Sequence, residues 1–196
     1  MITIDKVRMN VYQEIRDLYE TYGHTDYIGE SITQLEHSMQ CAELAEAAGE
    51  SINVIIAALL HDIGHLLGLK HGFKGMVNDS GEILGIGSHE ILGSHYLRDK
   101  GFNDMICCLV ANHVNAKRYC VNDPEYYSKL SHGSLETLKL QGGVMGEDEA
   151  TKFEDCEYFF WYIALRYYDD DAKIVGKVVD QEKYWYLLKE YTDSLE

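Results

Sequence analysis

The sequence predicts an all-α protein of about eight helices in a single domain over residues 1–196, and three observations predict it. Apolar residues recur at steps of three and four in one segment after another. No alternating strand pattern of useful length appears. The segment Ile52-Asn53-Val54-Ile55-Ile56-Ala57-Ala58-Leu59-Leu60 is apolar on nearly every face, as a helix in the middle of a bundle is. With 46% hydrophobic and 26% charged residues, the chain is too apolar to stay disordered and long enough for one core.

Taken in order, Ile4, Val7, Val11, Ile15 and Leu18 give an amphipathic first helix that Gly23 can end. Ser31-Ile32-Thr33-Gln34 reads as a capping box, opening a helix that carries Leu35, Met39 and Leu44 to a stop at Gly49. Ser51 starts the central apolar helix. Seven glycines between Gly64 and Gly87 predict a loop, which lacks the Lys-Ser/Thr ending of a phosphate-binding loop. Helical pattern resumes from Ser88 to Gly101, then from Asn103 to Lys117, where Ile106, Leu109, Val110 and His113 share a side. Pro124 marks a break. A short helix at Ser134–Gln141 ends at Gly142-Gly143, a long one is expected over Glu147–Val175, and a last one over Gln181–Leu195.

There are 17 Lys+Arg against 33 Asp+Glu, a formal net charge of −16. That balance argues against nucleic acid and against anionic membrane surfaces, both of which are bound through clustered Lys and Arg. A small anionic substrate stays compatible with it, since a metal ion or a few local cations override the distant field. Met1-Ile2-Thr3-Ile4-Asp5-Lys6 lacks the basic start and apolar stretch of a secretory signal. The run from Ile52 to Leu60 is too short to span a bilayer. Five cysteines (Cys41, Cys107, Cys108, Cys120, Cys156) without CxxC spacing suggest reduced thiols, so a cytoplasmic location is expected.

Nine histidines carry the chemical signal. His61-Asp62 ends the most apolar helix, where an unpaired carboxylate would be very costly. Imidazole and carboxylate together suit iron, manganese or zinc; a histidine bonded to its surroundings with Asp62 as a cap is the plain alternative. His37, His89, His113 and Asp169 sit on other helices, His113 on an apolar face and Asp169 four residues after Leu165. Any one alone fits a core or capping role. Several aimed inward from separate helices point to an ion. Asp170 and Asp171 follow Asp169, so the acid is open to reassignment by one residue.

The pattern His37…His61-Asp62…Asp169 resembles the HD-domain metalloproteins. The similarity extends to their di-iron oxygenase branch through Tyr27-Ile28-Gly29-Glu30, Gln34-Leu35-Glu36-His37, His61-Asp62-Ile63-Gly64-His65, His89-Glu90, His113-Val114-Asn115-Ala116-Lys117-Arg118-Tyr119, Ser134, Leu140-Gln141-Gly142-Gly143 and Arg166-Tyr167-Tyr168-Asp169. The resemblance implies one iron on His37, His61, Asp62 and Asp169, with Asp62 bridging to a second iron on His89 and His113. The family spacing Arg-x-x-Asp selects Asp169. It further implies that Tyr27 sits on iron before substrate arrives, that Glu30 recognises a substrate cation, that His65 lies near the metals without ligating them, and that Lys117, Ser134, Gln141 and Arg166 hold the substrate, with Arg166 alternatively keeping a carboxylate ligand in place. His24, His71, His95 and His132 match no role. The aromatic run Tyr158–Tyr162 is expected in the core, and Glu147-Asp148-Glu149 on a solvated face.

By the same resemblance the expected activity is O₂-dependent cleavage of a C–P bond in a small 1-hydroxyphosphonate. The first substrate is 2-amino-1-hydroxyethylphosphonate, giving glycine and phosphate, with two iron ions as cofactor and no nicotinamide or flavin. The trimethylammonium analogue is the close rival, and a metal-dependent phosphohydrolase, a common activity of HD domains, is the alternative reaction class.

Overall fold

Eleven helices and one short hairpin form from residues 10–27 and 29–195, the residues described by a computed structural model. Helix α1 (Val11–Tyr22) is capped by the Asn10 side chain, and Ile15 and Leu18 bury the face its periodicity predicts; Ile4 and Val7 lie outside the described residues. Helix α2 (Gln34–Ala47) opens on a capping box, but the pair is Thr33 with Glu36 rather than Ser31 with Gln34. The box needs a carboxylate or amide three residues after the cap, and Glu36 supplies it once the cap moves to Thr33.

Helix α3 (Ile52–Leu60) is buried from Val54 to Leu60 and packs against α2 and α6 (Asp104–Cys120). The predicted glycine-rich loop is in fact a helix, α4 (Ile63–Lys70), followed by an antiparallel hairpin of β1 (Gly75–Val77) and β2 (Ile83–Ile86). Each strand is too short for an alternation to register. Within α4 the glycines act as contact points and not as breakers. A Cβ on Gly64 would lie 1.9 Å from the carbonyl oxygen of His89, and one on Gly68 2.6 Å from Ile86 Cγ1. Helix α5 (His89–Asp99) returns its own glycine to the crossing, where a Cβ on Gly93 would stand 3.1 Å from Ile63 Cγ2. Helices α3 and α4 together make one apolar stretch, Ile52–Lys70, with mean hydropathy 1.7; 83% of it is buried inside the fold, with His61 and Asp62 at its middle. It is a bundle's core, longer than the sequence suggests.

Gly64→Ala therefore tests the crossing. The added methyl meets backbone and cannot be rotated away, so a loss of about 1–3 kcal/mol is expected, roughly 2–12 °C in Tm. Calorimetry on the variant checks it, and His89 should shift with its carbonyl.

Asn103 caps α6 as expected, and Pro124 stands at the first position of α7 (Pro124–Lys129), where its missing N–H costs nothing. Helix α8 (His132–Leu140) begins two residues before Ser134, because Ser131 is the cap. The single helix expected over Glu147–Val175 is two, α9 (Glu147–Glu154) and α10 (Phe159–Asp171). The turn between them lets Phe153 stack on Tyr162, ring centroids 5.3 Å apart, and meet Phe159 edge-on. Tyr162 is buried as expected, whereas Phe160 is 70% exposed. Helix α11 (Gln181–Asp193) closes the bundle through Tyr184, Trp185 and Leu188.

Candidate metal centre

Five elements deliver the cluster. His37 comes from α2, His61 and Asp62 from the sharp join of α3 to α4, His89 from the first position of α5, His113 from α6 and Asp169 from α10. All six are buried, at 4% exposure or less. The residue before His89, Ser88, takes a left-handed conformation (φ 54°, ψ 30°), which a side chain adopts only when its surroundings demand it.

Four imidazoles share one pattern. Their Nδ1 atoms sit on backbone carbonyls: His37 on Ala172 at 2.9 Å, His61 on Ala58 at 2.8 Å, His89 on Ile86 at 3.1 Å and His113 on Val110 at 2.8 Å. A carbonyl accepts, so each Nδ1 carries the proton and each Nε2 presents a lone pair. Those Nε2 atoms face one another in two pairs, His37 with His61 at 3.2 Å and His89 with His113 at 3.0 Å. Facing lone pairs at such distances repel unless a cation, proton or metal, lies between them.

Asp62 stands between the pairs and gives one oxygen to each. Its Oδ2 lies 3.3 Å from His61 Nε2 and 3.8 Å from His37 Nε2; its Oδ1 lies 3.2 Å from His89 Nε2 and 3.4 Å from His113 Nε2. Asp169 Oδ1 adds to the first pair, 3.3 Å from His37 Nε2 and 3.9 Å from His61 Nε2. Burial would raise both carboxyls, but His61 and the other imidazoles hold Asp62, and Arg166 with His37 holds Asp169, well below the usual carboxylate range. Burial lowers His61, yet Asp62 and Asp169 outweigh it and lift the group to about 9. His113 is pushed down by burial and His89 despite its bond to Asp62. The donor set of imidazole nitrogen and carboxylate oxygen, in two halves sharing one acid, fits transition-metal ligation.

Two further neighbours, His65 and Cys41, lie within ligand reach of the cluster but are bonded to other partners. The Nδ1 of His65 accepts from the Ile86 N–H at 3.0 Å, so its Nε2 bears the proton, and the ring stacks on His89 at 3.8 Å. The Cys41 thiol lies 3.7 Å from His37 Nε2. Burial, then Asp169 and Asp62, push it far up, and it donates to the Tyr168 carbonyl. The unforeseen hairpin thus matters to the site: Ile86 sets the tautomers of both His65 and His89.

A narrow pocket opens on the cluster. It is lined by Tyr27, Glu30 and His65, by Lys117 of α6, by Ser134 and Gln141 from α8 and its end, and by Arg166 of α10. Every residue singled out from the sequence for the site lines this pocket except His37 and His61, which belong to the cluster but do not line it. Tyr27 and Glu30 occupy a loop closed by pairing of Asp26 with Thr33; the Tyr27 hydroxyl donates to Asp169 Oδ1 at 3.2 Å and its ring stacks on His37 at 3.8 Å. Gln141 Oε1 is buried without a partner. Arg166 donates to Asp169 Oδ2 at 2.5 Å, while its other nitrogens grip Asp170. Asp169 is the acid turned toward the histidines, and Asp170 is held by Arg166 and Tyr126. His24, His71, His95 and His132 are exposed.

Three contributors escaped the sequence. Thr137 accepts from Lys117 Nζ at 2.9 Å, and Ser131 lines the pocket beside Ser134. Thr137 falls one helical turn after Ser134, the only signal available for it. The Tyr126 hydroxyl accepts from Arg166 Nε at 2.8 Å, forty residues away in sequence and carrying no local signal.

Comparison with known proteins gives one consistent result. The HD-domain family profile matches residues 35–139. Over 183 residues the chain is 42% identical to an uncharacterised protein of Acanthamoeba polyphaga mimivirus, covering 93% of this chain and 81% of that one. It is 37% identical over 182 residues to the [1-hydroxy-2-(trimethylamino)ethyl]phosphonate dioxygenase (glycine-betaine-forming) of Leisingera caerulea, covering 91% and 87% of the two chains. It is 36% identical over 172 residues to the hydroxymethylphosphonate dioxygenase of Gimesia maris, covering 86% and 81%.

Proposed function

The chain belongs to the HD-domain family, and from that premise we propose that it is an O₂-dependent dioxygenase cleaving the C–P bond of a small 1-hydroxyphosphonate. The observation that carries the proposal is Asp62 set between two imidazole pairs beside a pocket that holds Lys117 and Arg166, in a chain whose relatives are named as phosphonate dioxygenases. His37, His61, Asp62 and Asp169 would hold one iron, and Asp62, His89 and His113 the other. When bound, the metal pair supplies Lewis acidity toward the substrate oxygens and the means to activate O₂.

The protein's own groups bind and orient. Lys117 meets the phosphonate charge, helped by the Ser134 hydroxyl and by Arg166 at the pocket wall, while the Gln141 oxygen, buried without a protein partner, accepts a hydrogen bond from a substrate hydroxyl or ammonium. His65 offers a fixed N–H donor into the pocket. The Tyr27 phenol, kept protonated by burial and by Asp169, covers the cluster until substrate takes its place. In the net reaction the C1–H and C1–P bonds break, both atoms of O₂ are incorporated, and carboxylate and phosphate leave. The substrate furnishes all four electrons, so no external reductant is consumed.

Glu30 favours an aminated substrate. Its side chain has no ion-pair partner among the described residues, and Tyr27 is the one phenol or phenyl ring lining the pocket. A primary ammonium is satisfied by a carboxylate, whereas a trimethylammonium group gains most from several aromatic faces. The substrate proposed first is therefore 2-amino-1-hydroxyethylphosphonate, yielding glycine and phosphate. Glu30→Ala should raise KM for it about tenfold or more and leave KM for hydroxymethylphosphonate unchanged; equal effects on both would refute the assignment.

Burial, then Arg166, pull the Lys117 ammonium from its ordinary value down to about 7. Below that pH the side chain is charged and attracts the anion; above it the attraction fades. kcat/KM should accordingly fall as pH rises through about 7. Lys117→Met should erase that limb and lower kcat/KM at pH 6 by about tenfold to a hundredfold.

The direct test follows O₂ uptake and phosphate release together on the anaerobically iron-loaded enzyme. One phosphate per O₂ from a 1-hydroxyphosphonate supports the proposal; phosphate from an ester without O₂ uptake would make the protein a hydrolase.

A further inference from the structure

Between the end of α6, α7, α9 and α10, on the far side of Tyr126 from the metal centre, lies a second cavity of about 790 Å³. Tyr119, Tyr126 and Tyr167 line it together with Asp123, Glu147 and Glu154, and no Lys, Arg or His does. The rings of Tyr126 and Tyr167 stand at 88° with centroids 5.9 Å apart, forming two walls of a corner. Tyr119 is fixed by donating its hydroxyl to Glu154 at 2.7 Å. Arg118, next to Tyr119 in sequence, is spent on Glu149. None of the three lining carboxylates has a salt-bridge partner among the described residues.

We infer that this cavity is a binding site for an alkylated ammonium ion. Two aromatic faces at a right angle offer a cation two negative π-surfaces at once, and carboxylates left without cations supply the charge. An inorganic cation would have to shed a tightly held hydration shell to reach the rings, which an alkylated ammonium does not, and a neutral apolar ligand would gain nothing from the acids. The wall is shared with the metal centre, since the Tyr126 hydroxyl holds Arg166 and Asp170. The proposal does not depend on the assigned oxygenase activity.

The test is calorimetric titration of the full-length, metal-loaded protein with tetramethylammonium, using tert-butanol as the neutral shape match and sodium as the plain ion. Saturable binding is expected for tetramethylammonium and not for tert-butanol. It should weaken about fivefold or more in Tyr167→Leu and in Glu147→Gln, both surface positions whose fold is checked by circular dichroism, and persist in Glu30→Gln. Absence of saturable binding, equal displacement by sodium, or loss in Glu30→Gln with retention in the other two variants would overturn the inference.

Discussion

Replacing Asp62 with asparagine is expected to empty the His89/His113 half of the proposed two-iron centre and to weaken the other half. The substitution keeps the shape and removes the one charge that both imidazole pairs share. Each carboxylate oxygen faces a different pair, Oδ2 toward His61 at 3.3 Å and Oδ1 toward His89 at 3.2 Å. An amide offers one acceptor and one donor, so one pair would meet an N–H where it needs a negative oxygen. With the shared charge gone, the first half keeps His37, His61 and Asp169, and the second only two neutral imidazoles. Bound iron per chain should fall from about two to about one, the ion held by His37, His61 and Asp169, read by elemental analysis after anaerobic loading, and turnover by at least about 10³-fold, ~4 kcal/mol of barrier. A variant that still carried a full complement would show that the acid is not shared, and with it the bimetallic reading would go.

The six residues of that cluster are spread over more than 130 positions of sequence; His61-Asp62 and His113 stand out by their apolar setting, and the full set is legible only through the resemblance to the HD-domain pattern. His61-Asp62 at the end of a greasy helix cannot be there cheaply, and His113 shares a face with Ile106 and Val110. What the sequence concealed has a common cause. Gly64 and Gly68 look like loop signals, yet they are the points where α4 meets the His89 carbonyl and Ile86. Glycine in a helix for close approach and glycine in a turn for freedom are indistinguishable until the partner is known. The hairpin was hidden by its length, and with it the backbone of Ile86, which orients two of the histidines. The break between α9 and α10 carries no glycine or proline; it follows from the stacking of Phe153 on Tyr162, a tertiary event. The supporting side chains Thr137 and Tyr126 are ordinary residues made significant only by what they touch.

Arg166→Met should produce the largest loss of stability of any single substitution at the site. The guanidinium is 3% exposed and serves two carboxylates, Asp169 through one nitrogen at 2.5 Å and Asp170 through the others. It also donates to Tyr126, so α7 and α10 are joined through it. Methionine fills similar volume but leaves the buried Asp169 without its guanidinium, while the half-buried Asp170 keeps Tyr126 and Lys173. Breaking a buried pair from one side costs about 3–5 kcal/mol, which for a chain of this size is roughly 6–20 °C in Tm. Lysine is no substitute, because a point charge cannot hold two carboxylates in a planar fork. Metal ions alter the outcome in a definite direction: a cation on Asp169 replaces part of what Arg166 supplied, so the deficit should be smaller in the metal-loaded variant than in the metal-free one. Calorimetry on both forms checks this. Wild type should gain stability on loading, and the variant should gain more. Equal gains would mean that Asp169 does not face the ions, leaving Arg166 to tie together two helices and nothing else.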